Sequence, residues 1–264
     1  MLKLAANLSF LFLDRPLPER IAASAKHGFT GVEYQFPEDE TAATLKAALE
    51  AGGLTQVLLN MPAGDWEAGE RGIACLPGRE AEFQDGIGRS IELATALGCE
   101  RVHLVAGKTP ADGPERAAYE DTYRKNVAWA ADQFAPHGIN ALLEPINGKR
   151  DVPGFFLKDT AHARGIMAEL GKPNVRLQFD AYHVQVTEGD LVHTFHDCLP
   201  DIGHIQIANP PGRNEPDHGE TDYAFFLREV EQSSYDGWIA AEYKPVGRTE
   251  DGLGWGAPWG LRAG

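Results

Sequence analysis

Four stretches of the chain set an oxygen-bearing side chain at or near the end of an apolar run. Ala141-Leu142-Leu143-Glu144 closes on a carboxylate and is followed at once by Pro145. Val175-Arg176-Leu177-Gln178-Phe179-Asp180 closes on a second acid, and Gly203-His204-Ile205-Gln206-Ile207 carries an amide. Trp238-Ile239-Ala240-Ala241-Glu242 closes on a third acid. Short apolar runs of this kind read as buried parallel strands, and proline cannot continue an ordinary ladder. Side chains alternate between faces along a strand. Leu142 therefore shares a face with Glu144, Gln178 with Asp180, His204 with Gln206, and Ala240 with Glu242. Gathered at one mouth, buried carboxylates repel each other unless a cation offsets them. Glu144, Asp180, Gln206 and Glu242 are thus the expected ligands of one divalent cation, and two of the carboxylates are expected to be catalytic. Oxygen-only ligation favours Mg2+ or Mn2+ over zinc and leaves positions for substrate oxygens.

Other residues near these ends bear on a substrate. His183, three residues after Asp180, either orients substrate or moves protons, or simply bonds a loop carbonyl. Arg213, on the loop Asn209-Pro-Pro-Gly-Arg-Asn-Glu-Pro216, offers a guanidinium fork for a carboxylate. Arg71 and Lys108 are further cations on expected strand-end loops. Each alone is more simply a solvated charge, yet an acidic substrate requires at least one of them. His204 reads as a satisfied interior histidine. Glu33 ends an early strand without an evident partner and reads as structural.

These positions need a scaffold that brings strand ends together. Strands are expected at residues 2–10, 31–36, 55–61, 101–107, 141–147, 175–180, 203–209 and 238–243. Helices are expected at 18–28, 41–50, 80–97, 114–137, 159–170, 188–198 and 223–232. Pro18 near the start and Gly28 at the stop of the first helix follow the usual asymmetry. Residues 62–78 form a long loop with Asp65, Trp66, Glu67, Glu70 and Arg71, and loops of that length in compact domains are usually functional or disordered. The tail from Gly247 is expected to be a mostly irregular cover. Alternating strands and helices imply parallel strands with right-handed crossovers. Eight such units predict one domain over residues 1–264, a closed (β/α)8 TIM barrel of the α/β class. A doubly wound open sheet is the alternative, but it concentrates its site at one switch point.

Composition narrows the partners. The net charge of −15 argues against nucleic acid or an anionic membrane surface. It equally demands local cations if the substrate is a small hydroxy or oxo acid. Cys75, Cys99 and Cys198 lack metal-like spacing and read as reduced thiols. No signal-like segment opens the sequence, and no run approaches the roughly 20 apolar residues of a membrane helix. A cytoplasmic protein, and a homo-oligomer as one option, are the expectations. There is no Walker loop, no H-E-x-x-H and no G-x-S-x-G.

The chain resembles the hydroxypyruvate isomerase family of xylose-isomerase-like barrels in several blocks. They include Ala6-Asn-Leu-Ser9, Asn60-Met-Pro-Ala-Gly-Asp-Trp66, Ala68-Gly-Glu-Arg-Gly-Ile-Ala74 and Gly107-Lys-Thr-Pro110. Further on are Glu144-Pro-Ile-Asn147, Asp151-Val-Pro-Gly-Phe155, Gln178-Phe-Asp-Ala-Tyr-His183, Gly203-His-Ile-Gln-Ile-Ala208 and Glu242-Tyr-Lys-Pro245. The resemblance implies a metal site of Glu144, Asp180, Gln206 and Glu242, with Glu144 and Glu242 as the proton-transfer pair. Gln206 replaces a histidine common in related sugar epimerases, and Leu59 stands where some relatives have a histidine. The implied reaction is aldose–ketose isomerisation of hydroxypyruvate to 2-hydroxy-3-oxopropanoate through an enediolate. A 2-oxo-tetronate isomerase is the near alternative. An endonuclease-like metal hydrolase and a non-catalytic sugar-acid binder are the readings from other classes.

Overall fold

The expected strands close on themselves. The computed structural model describes residues 2–37, 39–109, 113 and 115–264. Its strands are β1 (Lys3–Asn7), β2 (Gly31–Tyr34), β3 (Thr55–Asn60), β4 (Arg101–His103), β5 (Asn140–Leu143), β6 (Val175–Asp180), β7 (Ile202–Ile207) and β8 (Trp238–Ala241). They pair in chain order, all parallel, and β8 returns to β1 through Lys3–Trp238 and Ala5–Ala240. That closure excludes the open doubly wound sheet.

The helices are α1 (Leu17–Lys26), α2 (Ala42–Gly52), α3 (Glu80–Leu97), α4 (Arg116–Phe134), α5 (Thr160–Leu170), α6 (Ala181–Thr187), α7 (Leu191–Cys198) and α8 (Tyr223–Gln232). The sequence reading misses α6, a short helix that starts directly on Asp180. Its two turns are too brief for a periodic apolar pattern to emerge. The tail also differs from expectation: Thr249–Trp259 winds as 3-10 turns instead of an irregular cover. Gly252, Gly254, Gly256 and Pro258 make a poor α-helix, but Leu253 and Trp255 are buried and hold the segment on the barrel. The expected start of the fourth helix at Pro114, and Pro110 of the Gly107 block, lie outside the described residues. Among the described residues, no helix is long and apolar enough to cross a membrane.

The alternation read from sequence sorts the barrel interior. Ala5, Val57, Leu58, Leu142 and Ala240 form a cluster of their own, with Trp238 against it. Each fully buried leucine or valine there stabilises by about 1.5–3 kcal/mol. Leu142 and Ala240 lie two residues before Glu144 and Glu242, so the strands that build this apolar floor aim both acids at the C-terminal mouth. The mouth is where barrels of this type carry their sites.

Candidate active site

Glu144 stands just past β5, where Pro145 stops the ladder, and is buried at 4% exposure. Its Oε2 accepts from Gln178 Nε2 at 3.0 Å. Burial, then the charges of Glu242 and Asp180, raise its pKa well above the ordinary carboxylate range. Glu242, just past β8, is raised in the same way, by burial against the opposing pull of Arg213. A glutamate so shifted retains a proton at pH values where an exposed one has lost it, which suits a group that must both take and return protons.

Asp180 ends β6 and caps α6. Its Oδ1 accepts from the backbone N–H of Tyr182 at 2.8 Å and of His183 at 3.3 Å. The cap fixes the carboxylate and leaves Oδ2 to face Arg213 and His183. It also fixes His183 in the first turn of α6, with Nε2 3.4 Å from Asp180 Oδ2 and 3.7 Å from Glu144 Oε1. Burial pushes this imidazole down to about 4. Its Nδ1 lies 2.7 Å from Asn147 Nδ2, so that amide donates to an unprotonated nitrogen. Glu144, Asp180 and His183 offer ligand atoms all within 4.8 Å of one another, a group that could hold a metal ion.

Gln206 is buried one strand further on, in register with Asp180. Its Oε1 accepts from Gln178 Nε2 at 2.7 Å, and its Nε2 donates to Glu33 Oε1 at 2.7 Å. Glu33 has partners that the sequence did not reveal. Asn7 donates to Oε1 at 2.8 Å, and His204 Nε2 lies 2.5 Å from Oε2. Asn7 also reaches Glu242 Oε1 at 3.2 Å. His204 is interior as expected and tied to Glu33 through Nε2, but it is only half satisfied, since Nδ1 has no partner among the described residues.

Of the four candidate substrate residues, His183, Arg213 and Arg71 line one cavity of about 190 Å3 with Glu144, Glu242 and Asp151. Arg213 donates to Glu242 Oε2 at 3.0 Å, Asp180 Oδ2 at 3.4 Å and Asp151 Oδ1 at 3.4 Å. Its ring contacts are Phe10 at 4.9 Å and Tyr182 at 5.1 Å. Burial opposes its charge, but Glu242, Asp180 and Asp151 outweigh it and push its pKa upward. The backbone there has φ of 57°, a left-handed conformation that strains a non-glycine residue. Hydrogen bonding between Arg213 O and the Lys244 N–H holds it.

Arg71 belongs to the long loop at 62–78. Its guanidinium stacks on Trp66 at 3.8 Å. Gly72 crosses against the end of β4 with φ of 99°, where a Cβ would collide with the Val105 carbonyl. Lys108 does not line the cavity; its ammonium donates to Gly69 O at 2.8 Å and ties the same loop down.

Three ionisable lining residues were not singled out from the sequence. Lys244 follows Glu242 by two and so shares its direction. Asp151 accepts from Asn147, Tyr182 and Arg213. His103, in β4, lies with Nδ1 3.2 Å from Glu144 Oε2. Burial, with His183 adding, pushes it down to about 3. A histidine inside an otherwise apolar strand was the available signal.

A family model described as xylose isomerase-like TIM barrel matches residues 21–259. The 2-oxo-tetronate isomerase of Cupriavidus necator is 46% identical over 259 residues, which are 98% of this chain and 99% of that protein. The hydroxypyruvate isomerase of Escherichia coli is 43% identical over 259 residues, 98% of this chain and 100% of that one. A solved structure from Brucella melitensis, described as AP endonuclease, family 2, has a TM-score of 0.95 at 43% identity, covering 98% of this chain and 100% of its own.

Proposed function

The chain belongs to the hydroxypyruvate isomerase family of xylose isomerase-like TIM barrels, and we propose that it interconverts hydroxypyruvate and 2-hydroxy-3-oxopropanoate. The observation that carries this reading is the pair Glu144 and Glu242. Glu144 is buried and Glu242 half-buried, both are raised well above the ordinary carboxylate range by desolvation, and both line one small cavity. Isomerisation moves a proton between adjacent carbons. One glutamate takes it as general base, and either can return it to the neighbouring carbon.

The donor set fits a divalent metal. Buried Glu144 and Asp180 and half-buried Glu242 are acids that repel one another, and the charge of Arg213 offsets only part of this. Glu144, Asp180, Glu242 and Gln206 would hold the ion, with His183 as a nitrogen donor within reach of the first two. When bound, Mg2+ or Mn2+ would polarise the substrate carbonyl and acidify the adjacent C–H. The protein's own cations do the rest. Arg213, gripped by two aromatic rings, and Arg71, stacked on Trp66, present guanidinium groups for the substrate carboxylate. The loop that Lys108 anchors supplies Trp66 and Arg71 to the cavity wall.

A second substrate has a specific observation in its favour. Relatives 46%, 43% and 38% identical carry the name 2-oxo-tetronate isomerase. The proton shift is the same, on a chain one carbon longer. The name of the Brucella chain points to a different class, cleavage of DNA. A DNA-cleaving surface needs basic charge, whereas this chain carries −15. Among the described residues, Glu144, Asp180 and His183 form the one metal-competent His, Cys, Asp or Glu group. Cytoplasmic location is supported by the free, buried Cys75, Cys99 and Cys198.

Proton NMR in D2O tests the proposal, with hydroxypyruvate and 2-oxo-tetronate as separate substrates, Mg2+ or Mn2+ added, and an EDTA control. The expected result is metal-dependent product with deuterium entering at the reacting carbon. No exchange on either acid with either metal would overturn it.

A further inference from the structure

The imidazole of His103 faces into the barrel. Its register partner in β5 is Leu142, which packs in the interior floor, and the ring itself lines the cavity. It is 2% exposed, and neither ring nitrogen has a hydrogen-bond partner among the described residues. The nearest acid atom, Glu144 Oε2, is 3.2 Å from Nδ1 but off the hydrogen-bonding direction. The two other histidines of the interior each have at least one bonded nitrogen, although His204 Nδ1 is also without a partner among the described residues. His204 has Nε2 bonded to Glu33, and His183 has Nδ1 bonded to Asn147. A buried donor and acceptor left unmade are destabilising, and a leucine at this position would avoid the penalty. An arrangement that folding does not reward is explained when a bound molecule supplies the missing partners.

Resting on the isomerase reading above, we propose that His103 is a substrate-contact residue. Its imidazole hydrogen-bonds an oxygen of the bound oxo acid on the Glu144 side of the cavity, and so holds the reacting carbon against that carboxylate. The residue transfers no proton; Glu144 and Glu242 do. Arg213 and Arg71 take the negative end of the substrate, and His103 fixes its rotation about that anchor.

The experiment compares wild type, His103→Leu and His103→Gln, loaded with Mn2+, in initial rates on hydroxypyruvate and 2-oxo-tetronate and in thermal denaturation without substrate. His103→Leu is expected to lose about 10- to 100-fold in kcat/KM, as a buried partner is removed from the substrate. Its Tm is expected to equal or exceed that of the wild type, because no protein hydrogen bond is lost. His103→Gln keeps an N–H donor and is expected to recover about tenfold of the loss. A His103→Leu variant within threefold of wild-type kcat/KM overturns the assignment. So does one that melts well below wild type or fails to fold, which marks a packing residue. A wild type that turns over neither acid refutes the isomerase reading itself, and this proposal falls with it.

Discussion

Two groups of buried polar side chains share the barrel interior, and they are assembled on opposite principles. Around Glu33, donors are aimed at an acid: Asn7 and Gln206 at Oε1, His204 at Oε2. Around Glu144, acids face acids. Burial, then the charges of Glu242 and Asp180, raise its pKa, and among the described residues only Gln178 donates to it by a hydrogen bond. A buried carboxylate ringed by donors is a stabilising network once all members are present. A buried carboxylate crowded by others is unfavourable to folding and persists for what it binds and does. The difference distinguishes two kinds of buried acid within one barrel, and Asn7 and Gln206 connect them.

The sharpest break between the two groups comes from isosteric neutralisation. Glu144→Gln or Glu242→Gln should reduce kcat by about 10² to 10⁴, with a Tm equal to or above wild type in EDTA. Steady-state kinetics and thermal scanning read both, and near-normal turnover in both variants would end the assignment of the pair. Glu33→Leu should do the reverse. Stranding three donors should cost about 3–5 kcal/mol of stability, measured by urea denaturation. A Glu33→Leu protein as stable as wild type would erase the contrast.

Metal and pH sharpen it further. At about 100 times its Kd, Mn2+ should stabilise the EDTA-treated protein by about 2.7 kcal/mol. The sign with pH follows from the raised Glu144 and Glu242. Their folded-state affinity for protons exceeds the unfolded one, so their contribution favours folding at low pH and is lost as pH rises above the unfolded value of about 4.3. A cation must displace those protons. The Tm gain on adding Mn2+ should therefore grow between pH 5 and 8, and should grow less in Glu144→Gln. A gain independent of pH would place the ion elsewhere. The smallest effect concerns Lys108. Lys108→Ala loosens one tie of the 62–78 loop and should cost under about 1 kcal/mol, with KM changed by no more than about threefold. A larger rise in KM would return Lys108 to the substrate.

Much of the fold was legible because its signals are local. β6 was legible to the residue, and so were α3 and α8, since turn and cap chemistry bracket each apolar pattern. Gly53, Gly98 and Gly171 end their helices in left-handed conformations that glycine adopts without strain. The strand-end acids were equally legible, since alternation alone aims Glu144 and Glu242 with Leu142 and Ala240. Less local features were lost. The α6 helix depends on the Asp180 side chain accepting two backbone N–H groups, and the tail winds because Leu253 and Trp255 find a buried place on the barrel.

The sequence by itself determined which residues lie on inward strand faces, and at which end of each strand. Periodicity and punctuation encode that within a few neighbouring residues. Only the tertiary structure decided who meets whom. Glu33 and Gln206 are 173 positions apart, and Asn7 and Glu242 are 235 apart, yet both pairs are in hydrogen-bond contact. Closure of β8 on β1 makes them neighbours, and no local pattern carries that information. Packing of neighbouring strand ends brings Arg213 onto Asp180 and Glu242, directs Lys108 to Gly69, and leaves His103 beside Glu144 with neither nitrogen bonded among the described residues. Alternation is a property of one strand, whereas a site is a property of the ring that eight of them complete.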